Sequence, residues 1–239
     1  CIFQYDKHTY YIGSEDGICR VILTDDEFIL TQCIIPTKIF SLPKRIYVHK
    51  TNRLLAYSEN SGIIVYDLTR DKTELLYPYA KDFPITKFLP YEENKVLIST
   101  RGAGVYQYDL REEKMEQFLH AETNEPNRMN GNNIRDIYMD ENKRLWMSVY
   151  ARGITVYDKA LPYYRWYKNH LGNPNSLNDD LVNAILEDSD GDIWFATNNG
   201  LTLYSPSKDT WQHVFNRDNT DPESLKNCIF LSLYETRDG

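Results

Sequence analysis

The chain has 239 residues, of which 41% are hydrophobic and 26% are charged. This composition is typical of a soluble globular protein with one sizeable core or two small ones. The formal net charge of −8 argues against a broad phosphate-binding surface, so we expect no nucleic-acid partner. No segment approaches the roughly 20 consecutive apolar residues of a membrane helix, and none has the pattern of a signal peptide. Aromatic residues make up 13% of the chain and favour β-strands.

A repeated segment runs along the whole chain. It consists of a large apolar residue, a small or hydroxyl residue, a glycine, and an alternating strand that usually ends in Tyr-Asp. The glycines are 45, 42, 49 and 47 residues apart and stand at Gly17, Gly62, Gly104, Gly153 and Gly200. A nearly constant period of this length, built from short strands, is typical of β-propeller blades.

In chain order, the repeats predict blades over residues 1–40, 41–84, 85–132, 133–180 and 181–227, followed by the first strand of a sixth blade at 228–239. The last complete copy shows its four strands most clearly, at 181–187, 193–197, 201–204 and 210–215. Its Asp190-Gly191 pair suits a tight hairpin turn. We therefore predict an all-β fold, a partial β-propeller of about five four-stranded blades cut from a longer chain.

Several repeat residues have a predicted structural role. A glycine allows the backbone to leave a turn with positive φ, where a Cβ would clash. We expect this role for Gly62, Gly104, Gly153 and Gly200. Because a single blade cannot bury both of its faces, we expect Trp146 and Trp194 to pack in the cores between blades.

The sequence shows no pattern of a catalytic or metal site. The five histidines form no HExxH motif, and no Gly-x-Ser-x-Gly motif is present. Asp188, Asp190 and Asp192 alternate, but they lack the glycine and glutamate positions of an EF-hand, so we interpret them as a hairpin turn. We expect no catalytic residue, no metal and no cofactor.

The four cysteines give little information about compartment or cross-links. They contain no CxxC pair, which makes a zinc site or a thioredoxin-like motif improbable. Their disulfide status stays open at this point, as does the redox compartment; the cysteines are Cys1, Cys19, Cys33 and Cys228.

Binding is a better prediction than catalysis. In a four-stranded blade, the turn between the second and third strands and the connection to the next blade lie at one rim. Amide and guanidinium groups there are suited to sugar hydroxyls, and a tyrosine ring is suited to stacking on a sugar face. The ligand-binding candidates at this rim are Arg101, Tyr150, Arg152, His170, Asn198 and Asn199.

Two of these candidates suggest a charged ligand. Arg101 and Arg152 are placed at matching positions of adjacent blades, and a pair of arginines is suited to a uronate or sulfate. The alternative is that both are solvated loop residues. The aromatic run at 163–167 also has two interpretations, either an exposed outer strand that contacts a second protomer or ordinary packing between blades.

The segment 182–201, VNAILEDSDGDIWFATNNGL, resembles the two-component regulator propeller repeat. The segments 174–180 and 221–225 resemble the family's connection between blades. The resemblance is sharpest around Trp146 and Trp194, and weaker where Tyr11, Leu55 and Leu97 replace the tryptophan.

The resemblance implies a periplasmic sensor region in an inner-membrane-anchored hybrid two-component protein. Such a region binds an oligosaccharide and signals across the membrane to a histidine kinase outside this chain. The partners implied are that ligand, the remaining blades or a second propeller of the same receptor, and a second copy in a homodimer. The alternatives are a propeller polysaccharide lyase or glycosidase, and a protein-interaction scaffold.

Overall fold

The computed structural model describes residues 1–24, 27–36, 40, 42–77, 83–121, 129–161, 164–215 and 229–236. The chain divides into two compact units. The first comprises Cys1–Ile98 and Gln107–Met115, and the second comprises Ser99–Tyr106 and Glu116–Gly239. Each unit is described separately below.

The described residues form twenty strands and no helix, so no helix that could span a membrane occurs among them. The strands are β1 (Ile2–Gln4), β2 (Thr9–Ser14), β3 (Gly17–Leu23), β4 (Phe28–Pro36), β5 (Arg45–His49), β6 (Arg53–Ser58), β7 (Gly62–Asp67), β8 (Lys72–Tyr77), β9 (Ile85–Pro90), β10 (Lys95–Thr100), β11 (Val105–Asp109), β12 (Lys114–Leu119), β13 (Ile134–Met139), β14 (Leu145–Val149), β15 (Gly153–Tyr157), β16 (Arg165–Tyr167), β17 (Val182–Glu187), β18 (Ile193–Thr197), β19 (Gly200–Ser205) and β20 (Thr210–Phe215).

These strands form five four-stranded sheets, and in each sheet the strands follow one another in chain order. Neighbouring strands are antiparallel in the first, second, fourth and fifth sheets. Four short strands in meander order are the structure of a propeller blade. The predicted all-β class and the five four-stranded blades are therefore confirmed.

The repeat glycines begin or directly precede the third strand of each sheet. Their φ angles are all positive, at 111° for Gly17, 80° for Gly62, 72° for Gly104, 75° for Gly153 and 109° for Gly200. The fourth strand explains why a side chain is not tolerated there. A Cβ on Gly153 would lie 2.2 Å from the Tyr167 carbonyl oxygen on β16, which is far inside contact distance.

The core of the first unit contains Tyr11 and Leu54, which are 4% and 0% exposed. They belong to one cluster that also contains Ile18, Phe40 and Ile64. Tyr11 stands where later repeats have tryptophan, three residues before the end of the second strand. A different large side chain thus fills the same space between the first two sheets.

The core of the second unit is aromatic. Trp146 is 1% exposed and is stacked on Tyr167, with ring centroids 5.7 Å apart and an interplanar angle of 8°. It also contacts Phe195 and Tyr204 of the fifth sheet, at centroid distances of 6.0 and 5.8 Å. Such aromatic pairs stabilise beyond the area they bury, and here they connect the fourth sheet to the fifth.

The aromatic run at 163–167 falls largely on β16, although residue 163 lies outside the described part. Its side chains alternate. Trp166 is 47% exposed, whereas Tyr167 contacts Trp146 in the core. Packing between blades thus accounts for Tyr167, and Trp166 stays on the outer surface.

Residues 229–236, expected to begin the next blade, belong to no sheet. They run beside β17 and β18, where the Phe230 amide donates to the Thr197 carbonyl at 3.0 Å. The first strand of a blade pairs with the second strand of the same blade, and no such partner lies among the described residues.

Candidate functional site

All six predicted ligand-binding residues lie in the second unit, on turns or connections at one edge of its sheets. Arg101, Tyr150 and Asn198 are each the first residue after a second strand. Arg152 and Asn199 are each the last residue before a repeat glycine. His170 lies in the connection between β16 and β17.

We call the first strand of each blade its inner strand. The first residue of each of these turns is held by the segment that directly precedes an inner strand. Arg101 forms an isolated backbone bridge with Asn133, and the Tyr150 amide donates to the Asn133 carbonyl at 2.9 Å. The Asn198 amide donates to the Leu181 carbonyl at 3.1 Å in the same way. The Tyr150 and Asn198 amides thus bond to the connection that enters their own blade, whereas Arg101 pairs with the connection that enters the following blade.

The predicted pairing of Arg101 with Arg152 is wrong in register. Arg101 directly follows β10 and corresponds to Tyr150, whereas Arg152 directly precedes Gly153. Arg152 is also engaged, because its Nη1 donates to the Asn130 carbonyl at 2.9 Å. The two guanidinium groups are therefore not equivalent, and the structure does not present them as a matched pair.

A polar network links Tyr150 and Asn198 through two residues of the inner strands. The Arg135 guanidinium lies 4.6 Å from the centroid of the Tyr150 ring and donates to Asn183 Oδ1 at 2.8 Å. Asn183 Nδ2 in turn donates to Asn198 Oδ1 at 2.9 Å and to the Phe230 carbonyl at 2.9 Å. We call Arg135, Tyr150, Asn183 and Asn198 the inner-strand network.

The inner-strand network lies where a ligand can reach it. Tyr150 is 45% exposed, and Arg135, Asn183 and Asn198 are all partly exposed. The cation–π contact between the Arg135 guanidinium and the Tyr150 ring is favourable and holds both groups in place. The arrangement combines an exposed aromatic ring, a fixed cation and the amide of Asn198, which suits a polyhydroxylated or anionic ligand.

His170 and Asn199 lie together in a separate depression of about 300 Å³ at the same edge. The His170 amide donates to Ser176 Oγ at 3.1 Å, which holds the connection in shape. Leu171, also in this depression, is fully exposed. Of the six predicted residues, Tyr150 and Asn198 thus belong to the inner-strand network and His170 and Asn199 line the depression. Arg101 and Arg152 belong to neither place.

Two buried asparagine side chains lie behind these turns and were not predicted from the sequence. Asn178 is 7% exposed. Its Nδ2 donates to the Asn199 carbonyl at 2.7 Å, and its Oδ1 accepts from Thr197 Oγ1 and Thr202 Oγ1 at 2.9 and 2.7 Å. The sequence does contain a signal for these residues, because an asparagine stands four residues before the inner strand in both the fourth and the fifth blade.

Asn130 performs the same role one repeat earlier. Its Nδ2 donates to the Arg152 carbonyl at 2.8 Å, and its Oδ1 accepts from Thr155 Oγ1 at 2.7 Å. We call Asn130 and Asn178 the asparagine clamps. Each clamp fixes the carbonyl just before a repeat glycine, so it positions the turn that carries Arg152 or Asn199.

The alternating aspartates have structural partners. Asp188 accepts from the amides of Asp190 and Asp192 at 3.1 and 2.9 Å and from Trp194 Nε1 at 2.7 Å. Asp140 accepts from Trp146 Nε1 at 2.9 Å in the equivalent place. No group of three or more potential metal ligands occurs among the described residues.

The inner strands β13 and β17 also carry two acidic groups that have partners in the fold, the buried Asp136 and the partly exposed Glu187. The Asp136 carboxylate accepts from the amides of Ile137 and Ile185, both at 2.9 Å. Tyr138 donates its hydroxyl to Glu187 at 2.6 Å. Burial, followed by the hydrogen bond to Glu187, raises the pKa of Tyr138 well above its usual range, so the phenol stays protonated.

Two segments of the chain, residues 128–151 and 176–199, match the family model described as two component regulator propeller. These segments are two-component regulator propeller repeats. They contain both asparagine clamps, together with Trp146 and Trp194. A comparison with curated proteins finds no match.

Solved structures share the fold at low sequence identity. The extracellular domain assigned to a hybrid two-component system of B. thetaiotaomicron aligns with a TM-score of 0.64 and 14% identity, over 98% of this chain and 36% of that one. A second such domain from the same organism aligns with a TM-score of 0.57 and 17% identity, over 100% and 36%.

PorZ, a surface component of the type-IX secretion system of Porphyromonas gingivalis, aligns with a TM-score of 0.58 and 14% identity, over 88% of this chain and 27% of that one. The chain therefore spans about a third of the length of the structures it resembles. The fold is that of β-propeller blades.

Proposed function

We propose that the chain is part of the extracytoplasmic sensor domain of a hybrid two-component regulator and binds an oligosaccharide. The observation that carries the ligand class is the inner-strand network, which presents an exposed tyrosine ring beside a fixed guanidinium and the Asn198 amide. The regulator repeats and the extracellular domains that share the fold support the sensor role and a periplasmic location.

In the proposed recognition of a sugar, the aromatic ring and the guanidinium group have different roles. The Tyr150 ring stacks on the apolar face of a sugar, and the remaining N–H groups of Arg135 donate to hydroxyls or to a carboxylate. Asn198 adds an amide at the same turn edge. A uronate or sulfate remains a proposed ligand, with Arg135 in place of the Arg101–Arg152 pair.

Signalling follows from population shift. A ligand that binds one arrangement of the sensor better than another displaces the equilibrium between them by its difference in affinity. The membrane segment and histidine kinase that report this shift belong to parts of the receptor outside this chain. The remaining blades are the proposed partners of residues 229–236, where Ile229, Leu231 and Tyr234 are 56, 71 and 83% exposed.

We further propose that the module is not an enzyme. A lyase or glycosidase needs acidic or basic groups poised at the substrate. At the inner strands, Asp136 already accepts two backbone amides, and Glu187 accepts the Tyr138 hydroxyl. These groups are committed to the fold. A protein-interaction scaffold is retained as an outcome of the test below.

The test is a thermal-shift screen of the chain against plant, host and microbial oligosaccharides, followed by titration of each hit. A ligand at 100 times its Kd adds about 2.7 kcal/mol, which corresponds to a rise of roughly 5–10 °C for a chain of this size. We expect Tyr150→Ala and Arg135→Ala each to weaken binding by about tenfold or more.

The matched control is Trp166→Ala, which removes an exposed aromatic ring from β16, outside the inner-strand network. We expect it to leave affinity unchanged. If a ligand binds both Tyr150→Ala and Arg135→Ala with the affinity of the unchanged chain, its site lies outside the inner-strand network. If neither the chain nor the complete extracytoplasmic region binds any oligosaccharide, and a peptide ligand is found instead, the scaffold interpretation replaces the sensor.

A further inference from the structure

Two cysteines of the first blade face each other across neighbouring strands. Cys19 on β3 and Cys33 on β4 are directly paired in the antiparallel register. Residues opposed in this way have Cα atoms about 4.5–5.5 Å apart, and a disulfide needs about 4.4–6.8 Å. Both cysteines are free thiols in this structure.

The two thiols differ in their surroundings. Cys19 is buried and Cys33 is exposed. Burial, together with the adjacent Cys33 thiol, raises the pKa of Cys19 to about 12. Cys33 is therefore the sulfur that a reagent in solution meets first, and Cys19 is a protected thiol beside it.

The strand pairing around the two cysteines is irregular. The register shifts between Ile18 and Cys19 and again between Arg20 and Val21, so β4 carries an extra residue on each side of the paired segment. Such bulges bend and twist a strand pair and mark places where the ladder is interrupted. A covalent link at this point would fix a register that hydrogen bonds alone hold less firmly.

We propose that Cys19 and Cys33 form a reversible cross-strand disulfide that responds to the thiol–disulfide state of the surroundings. The oxidant is a disulfide of the class RS–SR, either glutathione disulfide or that of a thiol oxidoreductase. The Cys33 thiolate attacks one sulfur of RS–SR, forms a mixed disulfide and releases RS⁻.

In the second step, Cys19 loses its proton and attacks the Cys33 sulfur, and the second RS⁻ leaves. Two thiols and one RS–SR thus become one intramolecular disulfide and two RSH. The two protons pass to the two leaving thiolates, and two electrons pass to the reagent. An excess of RSH drives the same steps backwards.

The bond would also stiffen one wall of a depression in the first unit. Arg20 follows Cys19 on β3 and lines a depression of about 410 Å³ together with Tyr11 and Tyr66. Tyr11 is the register partner of Arg20 on β2. Oxidation at the neighbouring position therefore fixes the strand that presents Arg20.

The test uses the whole chain with Cys1→Ser and Cys228→Ser, which leaves the pair as its only thiols. The folded chain is treated with glutathione disulfide and then denatured for thiol titration. We expect this titration to find no free thiol. The mass should fall by two hydrogen atoms, and peptide mapping should join the segments holding Cys19 and Cys33. A dithiol reductant should reverse all three changes. Adding Cys33→Ser leaves Cys19 as the only thiol. We expect this buried thiol to react slowly with glutathione disulfide while the chain is folded.

Three results would overturn the proposal. The first is a chain that keeps two titratable thiols, and the second is a stable glutathione adduct on Cys33 beside a free Cys19. The third is a cross-link confirmed by mapping that lowers the melting temperature, because a bond suited to the native register raises it, by roughly 6–12 °C for a loop of this length. Circular dichroism of each variant shows whether the sheets are intact.

Discussion

Replacing Asn178 with alanine tests whether the asparagine clamp holds the turn edge of the fifth blade. The side chain is 7% exposed and makes three hydrogen bonds, one donated to the Asn199 carbonyl and two accepted from Thr197 and Thr202. Thr197 has a substitute acceptor in the Gly200 carbonyl at 2.9 Å. In the variant, the partly buried Asn199 carbonyl loses this donor, and the Thr202 hydroxyl loses this acceptor while still accepting from the backbone amide of residue 178 at 3.2 Å.

The expected cost follows from the number of bonds. At about 1 kcal/mol for each hydrogen bond, with a larger penalty when a buried partner is left unsatisfied, Asn178→Ala should lower the free energy of unfolding by about 3 kcal/mol. Asn130→Ala removes two bonds and should cost about 2 kcal/mol. Asn175→Ala, an exposed asparagine of the same connection, should cost less than about 0.5 kcal/mol.

Urea unfolding followed by tryptophan fluorescence measures these differences in the appropriate part of the chain. All four tryptophans, Trp146, Trp166, Trp194 and Trp211, belong to the second unit. If Asn178→Ala and Asn175→Ala unfold at the same urea concentration with equal slopes, the clamp contributes no stability and the reasoning is refuted. A result with Asn130→Ala costing more than Asn178→Ala would refute the dependence on the number of bonds.

Three further predictions concern other parts of the chain. Gly153→Ala should destabilise by about 2 kcal/mol more than Gly172→Ala in urea unfolding, because both have φ near 80° but only Gly153 has a backbone oxygen in the way. Trp146→Ala should cost about 3–5 kcal/mol, against less than about 0.5 kcal/mol for the exposed Trp166→Ala, as a pair of melting curves would show. Burial lowers the pKa of His49, so stability should fall as the pH drops below about 6.5, by at most about 1.4 kcal/mol per pH unit. Urea titrations of His49→Gln at several pH values should lack this dependence.

The blades were predictable because their signals are local. A glycine with positive φ, a turn and an alternating strand lie within about fifteen residues of one another in each copy, and no distant contact is needed to recognise them. Even the weaker copies keep the pattern, since Tyr11, Leu55 and Leu97 are buried where later copies have tryptophan. The position requires a large apolar side chain, and several residues satisfy that requirement.

The inner-strand network was only partly predictable, because it depends on contacts between repeats. Tyr150 and Asn198 were chosen from their turns, but Arg135 and Asn183 connect them across 48 residues of sequence. A polar residue in an inner strand gives no sign of its partner until the two strands are neighbours. The Arg101–Arg152 register failed for a different reason. Each arginine directly precedes a glycine, but the glycine after Arg101 is Gly102, not the repeat glycine Gly104.

The asparagine clamps also define where one repeat can be separated from the next. All the partners of the Asn178 side chain lie in the blade that follows it, and the same is true of Asn130. A segment excised at the start of the inner strand would lose its own clamp, whereas one beginning at Met129 or Leu177 would carry it. Gain or loss of whole blades by recombination is therefore least disruptive at those two points, and a designer who lengthens the array should join copies there.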